Sequence, residues 1–287
     1  MVVIREQIML LSINCRRLAT AILVAFPLIA SSSLAMADTV TLGGVGGLTP
    51  LIKRLAEDYR KDHPGTTILV VHPPLGSTGG LRALAAGKVD FSLVGRELKS
   101  DEAFKAQAWL QTPLVLATNG GKSSGLSLSQ IAELYSARKT TWDDGTPVSL
   151  ILRRPQESET ADLRSMSPAI DSAVSEALKR KDTVMADSDL DALDLLVRTK
   201  GSLGTATLGL IKTEGARLAL LPIDGKTPDL KSLDAGTYHW RRKYQLVTSH
   251  AAPPQGAAAA FLGYLGTERA LKLARELGYL PVTSAKQ

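Results

Sequence analysis

Cysteine is nearly absent: the 287 residues hold one, Cys15. It stands just ahead of an apolar run, Leu18 to Ala30, that continues as "SSSLAMA" with small residues at Ala35 and Ala37. With Arg16 and Arg17 before the run, this is the charged, apolar, A-x-A order of a secretory signal peptide over residues 1–37. The run is short for a spanning helix, which needs about 20 apolar residues. An uncleaved anchor is the competing reading, and Met9 is an alternative start. Cleavage after Ala37 leaves 250 residues without cysteine. That excludes a disulfide, a thiol nucleophile and a thiolate-held metal. Cys15 precedes the apolar run, unlike a lipid-attachment cysteine. Stability must then come from a packed core, which a chain of this length can bury, often as two lobes.

Histidine is scarce as well. His63, His72, His239 and His250 are scattered, with no helical i, i+4 pair, and are expected on the surface rather than on a metal. No nucleophile stands beside a base: Ser77 in "GSTGG" has no nearby histidine and does not fit G-x-S-x-G. "DSDLDALD" (187–194) lacks the glycine and closing glutamate of a calcium loop. Asp187 or Ser188 capping a helix with first-turn acids explains it. An exported hydrolase of phosphate esters would need a nucleophile with a base, or a metal cluster, and neither is visible. Aromatics make up 5% of the chain, and no basic stripe is interleaved with them, so nucleic acid is not expected as a partner. The formal charge is +6; the signal carries three arginines and one glutamate, which leaves +4 after cleavage. That mild surplus favours the approach of a small anion. The densest basic patch, "HWRRKY" (239–244), reads as a solvated segment end, and Trp142 reads as core.

What is present is an alternation of strand and helix patterns. "TVTLGG" (39–44), "TTILVVHPP", "DFSLVG", "TPLVLATN" (112–119), "VSLILRRP" (148–155), "SLGTATLG", "RLALLPID" and "YQLVTS" (244–249) read as strands. Helices are expected over "LTPLIKRLAEDYRKDHPG", with Leu48, Leu51, Ile52, Leu55 and Tyr59 on one face, and over "SDEAFKAQAWL" with Ser100 as N-cap. Later helices are expected in "SLSQIAELYSAR", "SETADLRSM", "PAIDSAVSEALKRKD", "DSDLDALDLLVRTKG" and the C-terminal "PPQGAAAAFLGYLGTERALKLARELGYLPV". This order argues for α/β architecture with a mostly parallel sheet.

Three strand-to-helix junctions share one chemistry: "GGVGGLTP" (43–50), "GSTGG" (76–80) and "RRPQESET" (153–160). A helix start offers unpaired N–H groups and about half a positive charge. Glycine lets the backbone approach an oxyanion, and Ser or Thr adds a donor. Arg154 can add a two-pronged fork. One such junction is common in any fold; three in one exported α/β chain point to an anion.

On these residues the chain resembles the periplasmic phosphate-binding proteins, the substrate-binding components of phosphate ABC transporters. "GGVGG" resembles the family's first glycine loop, and "GSTGG…KVDF" its "GSSGG…VDF" block. "SLSQIAELYSARKTTWDD", "RTKGSLGTATLGLI" and the ending "AFLGYL…ERALKLARELGYLPV" have counterparts too. "RRPQESET" stands where the family has an "RR…GSGT" loop. The resemblance implies a two-lobed type II periplasmic binding protein fold with a two-strand hinge. Residues 38–115 and 245–287 would form one lobe and 116–244 the other. It implies a ligand cleft between them, no chemistry, no cofactor and no metal. The partners it implies are inorganic phosphate or a similar oxyanion and a membrane permease, with the protein a monomer in the periplasm. Carried over by position, Gly46, Gly47, Ser77, Thr78, Arg96, Arg154, Ser158, Glu159 and Thr160 would line the site.

Two departures stand out. Gly95 occupies the place of an acidic residue that accepts a proton-bearing phosphate oxygen; an ionised carboxylate is an acceptor only. Glu159 replaces a glycine of "GSGT", and Glu157 replaces the other. Glu159 can restore the missing acceptor, cap a helix while facing solvent, or obstruct the anion. A diverged binding module with another ligand, acting as a periplasmic sensor or accessory protein, is the alternative function.

Overall fold

The computed structural model describes residues 38–121 and 123–282. The expected signal, with Cys15, lies outside the described residues. The apolar β-branched runs form two parallel sets. In the first, β1 (Asp38–Gly44) lies between β2 (Thr66–Val70) and β3 (Phe91–Val94). In the second, β5 (Ser149–Arg153) lies between β6 (Val184–Ala186) and β7 (Ser202–Thr207).

Two antiparallel strands join the sets. β4 (Phe104–Thr118) pairs with β9 (Arg241–Ser249) as far as Pro113, then with β7 from Leu114 to Ala117. β9 pairs with β3 on its other side. The order is β2-β1-β3-β9-β4-β7-β5-β6, with β8 (Ala219–Leu221) and β10 (Leu280–Pro281) also on β4. At the point where β4 changes partner, the Thr112 hydroxyl donates to the Gly278 carbonyl (2.8 Å) and accepts from the Gly209 amide (3.0 Å).

Helices cover the faces: α1 (Thr49–Tyr59), α2 (Gly76–Ala85), α3 (Leu128–Tyr135), α4 (Ser158–Arg164), α5 (Pro168–Ala177), α6 (Asp189–Arg198), α7 (Leu208–Glu214), α8 (Leu230–Asp234), α9 (Gly256–Tyr264) and α10 (Glu268–Glu276). The apolar stripe of α1 is buried throughout, with Leu51, Ile52 and Leu55, and Leu48 just ahead of the helix, fully enclosed. That stripe packs with Phe91, Trp109, Phe261 and Tyr279 in one core. Leu116, Ile131, Trp142, Leu152 and Ile170 form another on the far half of the sheet, where Trp142 takes the core role expected of it. The cores do not merge, which is the packing basis of a two-lobed molecule.

One expected helix is a strand. The segment 104–110, within the expected helix of "SDEAFKAQAWL", lies in the first half of β4. Its alanines favour a helix, but pairing along β9 overrides that weak preference. The register slips between Ala108 and Leu110. The slip turns Trp109 inward, where its indole N–H donates to the Leu265 carbonyl at 2.9 Å. Two glycines set how closely α2 lies on the sheet. Gly44 has φ +125°, and a Cβ on Gly80 would collide with Ser92 Oγ and stand 2.9 Å from Gly44 Cα. Only glycine permits both the conformation and the approach.

Candidate anion cavity

Both parallel sets present their carboxyl ends to one place, where open α/β sheets hold ligands. The segments after β1, β2, β5 and β6 enclose a cavity of about 100 Å³, lined among others by Gly46, Ser77, Arg153, Glu159, Asp189 and Arg242. That volume accommodates a few waters or one small oxyanion, since a water occupies about 30 Å³ of liquid.

Two arginines supply its positive charge. Arg153 ends β5 and is 7% exposed. Its Nη1 donates to the Ala186 carbonyl (2.8 Å). Its Nε lies 3.4 Å from Glu159 Oε2 and 3.5 Å from Asp189 Oδ1, and its Nη2 3.4 Å from Glu157 Oε2. Arg242, near the start of β9, is 4% exposed, with Nη2 2.7 Å from Asp162 Oδ2. That pair is close but poorly aligned for hydrogen bonding. Arg242 Nε and Nη2, Arg153 Nε, Glu159 Oε2 and Asp162 Oδ2 are all buried without a hydrogen-bond partner. Buried polar atoms are normally paired, so this set of three donors and two acceptors is costly and specific to this place.

The carboxyls interact. Burial, then the neighbouring Asp189 carboxylate, pushes Glu159 well above the ordinary glutamate range. Burial also opposes ionisation of Asp189, but a hydrogen bond from Glu159, the charges of Arg242 and Arg153, and the Gly47 amide outweigh it and hold Asp189 low. Glu159 is therefore the member of the pair that holds its proton to higher pH. The Gly47 amide donates to Asp189 Oδ2 at 2.6 Å. Burial raises Asp162 despite Arg242.

Of the residues singled out in the sequence, the cavity brings together Gly46, Ser77, Ser158 and Glu159, with Gly47 at its edge. Ser77 accepts the Gly95 amide (3.1 Å). Four others stand outside the lining. Thr160 is buried, its hydroxyl donating to the Arg153 carbonyl (2.9 Å). Thr78 is exposed and accepts from Arg96 Nη2 (3.3 Å). Arg96 is held by both oxygens of Glu102 at 2.7 Å. Arg154 points outward onto Asp187 at 2.5 Å. Adjacent strand residues face opposite sides, so only one arginine of "RR" can face inward, and it is Arg153. Arg242 corrects the reading of "HWRRKY" as solvated: Arg242 and Tyr244 are buried while Arg241 and Lys243 are exposed. The period-two run Arg242, Tyr244, Leu246 was the available signal. The solvent-facing cap reading of Glu159 is also corrected, since its carboxyl is buried in the cavity. The residue at the N-cap of α4 is Glu157, and its side chain makes no cap bond. Asp189 emerged only with the fold; Ser188, as expected, caps α6, accepting the Asp191 amide.

A sequence model described as the PBP superfamily domain matches residues 30–269. A curated relative, phosphate-binding protein PstS 2 of Streptococcus pneumoniae, is 29% identical over 111 residues, covering 38% of each chain. The alignment thus spans well under half the length of that relative. Among solved structures, a Clostridium perfringens protein assigned as a phosphate ABC transporter substrate-binding protein, with bound phosphate, superposes with a TM-score of 0.74. It is 15% identical, over 86% of this chain and 100% of its own. An ABC-type phosphate transport receptor from Vibrio cholerae gives 0.60 at 19% identity, over 85% and 99%. At these identities the likeness is one of fold.

Proposed function

The chain belongs to the PBP superfamily, and on that footing we propose that it is an exported solute-binding protein whose ligand is a small tetrahedral oxyanion, phosphate first. It would hold the anion in the cavity between lobes 38–115 with 245–287 and 116–244, and pass it to an ABC-type permease in the membrane without chemical change. One observation carries the reading. Arg153 and Arg242, both more than nine-tenths buried and each with guanidinium nitrogens that lack a hydrogen-bond partner, line a polar cavity beside the glycine loop and the start of α2. Guanidinium forks and backbone amides are the donors an oxyanion takes. The acidic residue missing at Gly95 has a counterpart in Glu159 on the other side of the cavity; a Cβ at Gly95 would sit 3.6 Å from Arg242 Nη1. Once ionised, Glu159 is an acceptor only, and such a carboxylate rewards a ligand with its own proton and penalises sulfate.

Titration calorimetry of the chain from Asp38 tests this, with inorganic phosphate at pH 6 and pH 8 and sulfate as control. The expected result is phosphate binding at micromolar strength or better, no sulfate binding, loss of binding in Arg153→Met and little change in Arg154→Ala. Heat from neither anion would sink it. A second reading, a diverged module with another ligand, is favoured by the excess of carboxylates over arginines in the lining; it takes first place on that outcome. Phosphatase turnover, with or without added zinc, would contradict both.

A further inference from the structure

Gly47 belongs to the glycine loop that follows β1, whereas Asp189 opens α6, beyond β6 on the other half of the sheet. Their 2.6 Å hydrogen bond therefore crosses the cleft. The other oxygen of Asp189 faces Arg153 Nε at 3.5 Å. A backbone amide on one oxygen and a guanidinium near the other is the environment of a bound oxyanion. The fit is close: a Cβ on Gly47 would stand 3.0 Å from Asp189 Oδ2. Arg242 Nε is buried without a hydrogen-bond partner, while its Nη2 faces Asp162 at 2.7 Å, so Asp189 takes part of a ligand's place and leaves a donor of Arg242 for the rest. Its side chain is 14% exposed, at the cavity wall rather than sealed in the core.

We propose that Asp189 is a built-in competitor for the anion, a carboxylate of the chain that occupies the Gly47 amide and ties the two halves together until a ligand displaces it. This deepens the anion-binding reading and rests on it. Ligand-free protein is then held partly closed by its own side chain. Affinity for phosphate is lower than the donor set alone would give, because each binding event first breaks a charge-assisted bond. A ligand already released is kept out by the same contact.

The test compares wild type with Asp189→Ala and Asp189→Asn, each checked for folding by circular dichroism. Two readouts are taken: calorimetric affinity for inorganic phosphate, and the ligand-free radius of gyration from small-angle scattering. The expected result is a larger ligand-free radius in Asp189→Ala and phosphate binding about ten- to a hundredfold tighter, the range of one hydrogen bond to a charged group. Asp189→Asn, neutral but still able to accept from Gly47, falls between. Unchanged affinity overturns the proposal, and so does weaker binding, which would make Asp189 a ligand contact. An unchanged radius overturns the tie. If neither wild type nor variant binds phosphate but Asp189→Ala opens, the anion reading fails and the tie stands.

Discussion

Glu159 keeps its proton far into the range where a glutamate ordinarily loses it, because it is buried beside Asp189. A group whose pKa is raised on folding contributes stability that is complete below its unfolded value and is lost as pH climbs through the folded value. The unfolded value here is 4.5, so this contribution declines as pH rises above it. Glu159→Gln keeps a neutral donor toward Asp189 and removes the titration. Thermal melts from pH 5 to pH 8 should therefore show a shallower decline in the variant than in wild type. Parallel curves would mean that Glu159 is ionised throughout. Asp189, shifted the other way, acts at the acid end, with stability present above 3.8 and lost below it. At this scale the sequence was half legible. It flagged Glu159 and the glycines by residue type. It could not tell Arg153 from Arg154, because a strand's parity is set by which face its neighbours cover. Nor could it reveal Asp189, whose partner is 142 positions away.

Helix α2 shows how an element delivers a residue. Ser77 reaches the cavity because α2 lies directly against β1 and β3, with Gly80 over Gly44 and Ser92. Adding one methyl there forces a shift of helix against sheet. Gly80→Ala should cost about 1–3 kcal/mol in denaturant unfolding, the range for overpacking, and should weaken anion binding by moving Ser77. A variant as stable as wild type would mean that the helix can lift without penalty. The glycines of "GSTGG" marked this strand-to-helix junction in the sequence, but they form the first residues of α2 itself rather than a loop ahead of it. The segment 104–110 misled because its local pattern points elsewhere. Its local composition is helical, and the partner that makes it a strand, β9, lies more than a hundred residues further on.

On the scale of the molecule, separate cores on the two halves of the sheet meet across β4 and β9, and Thr112 bonds to both sides where β4 changes partner. Thr112→Val keeps the shape but leaves the Gly209 amide without its acceptor. Equilibrium unfolding should register about 1–3 kcal/mol for that unpaired group, and hydrogen exchange at Gly209 should quicken. Exchange as slow as in wild type would show that another acceptor takes over. Thr112 also stands directly across the ladder from Arg242. If the lobes turn about this joint, displacement grows with lever arm: least at the Arg242 guanidinium, greatest at the outer rim. An arriving ion would then settle first on a stationary charged floor, and the walls bearing Ser77 and Ser158 would swing in over it afterwards, as jaws close on an anvil.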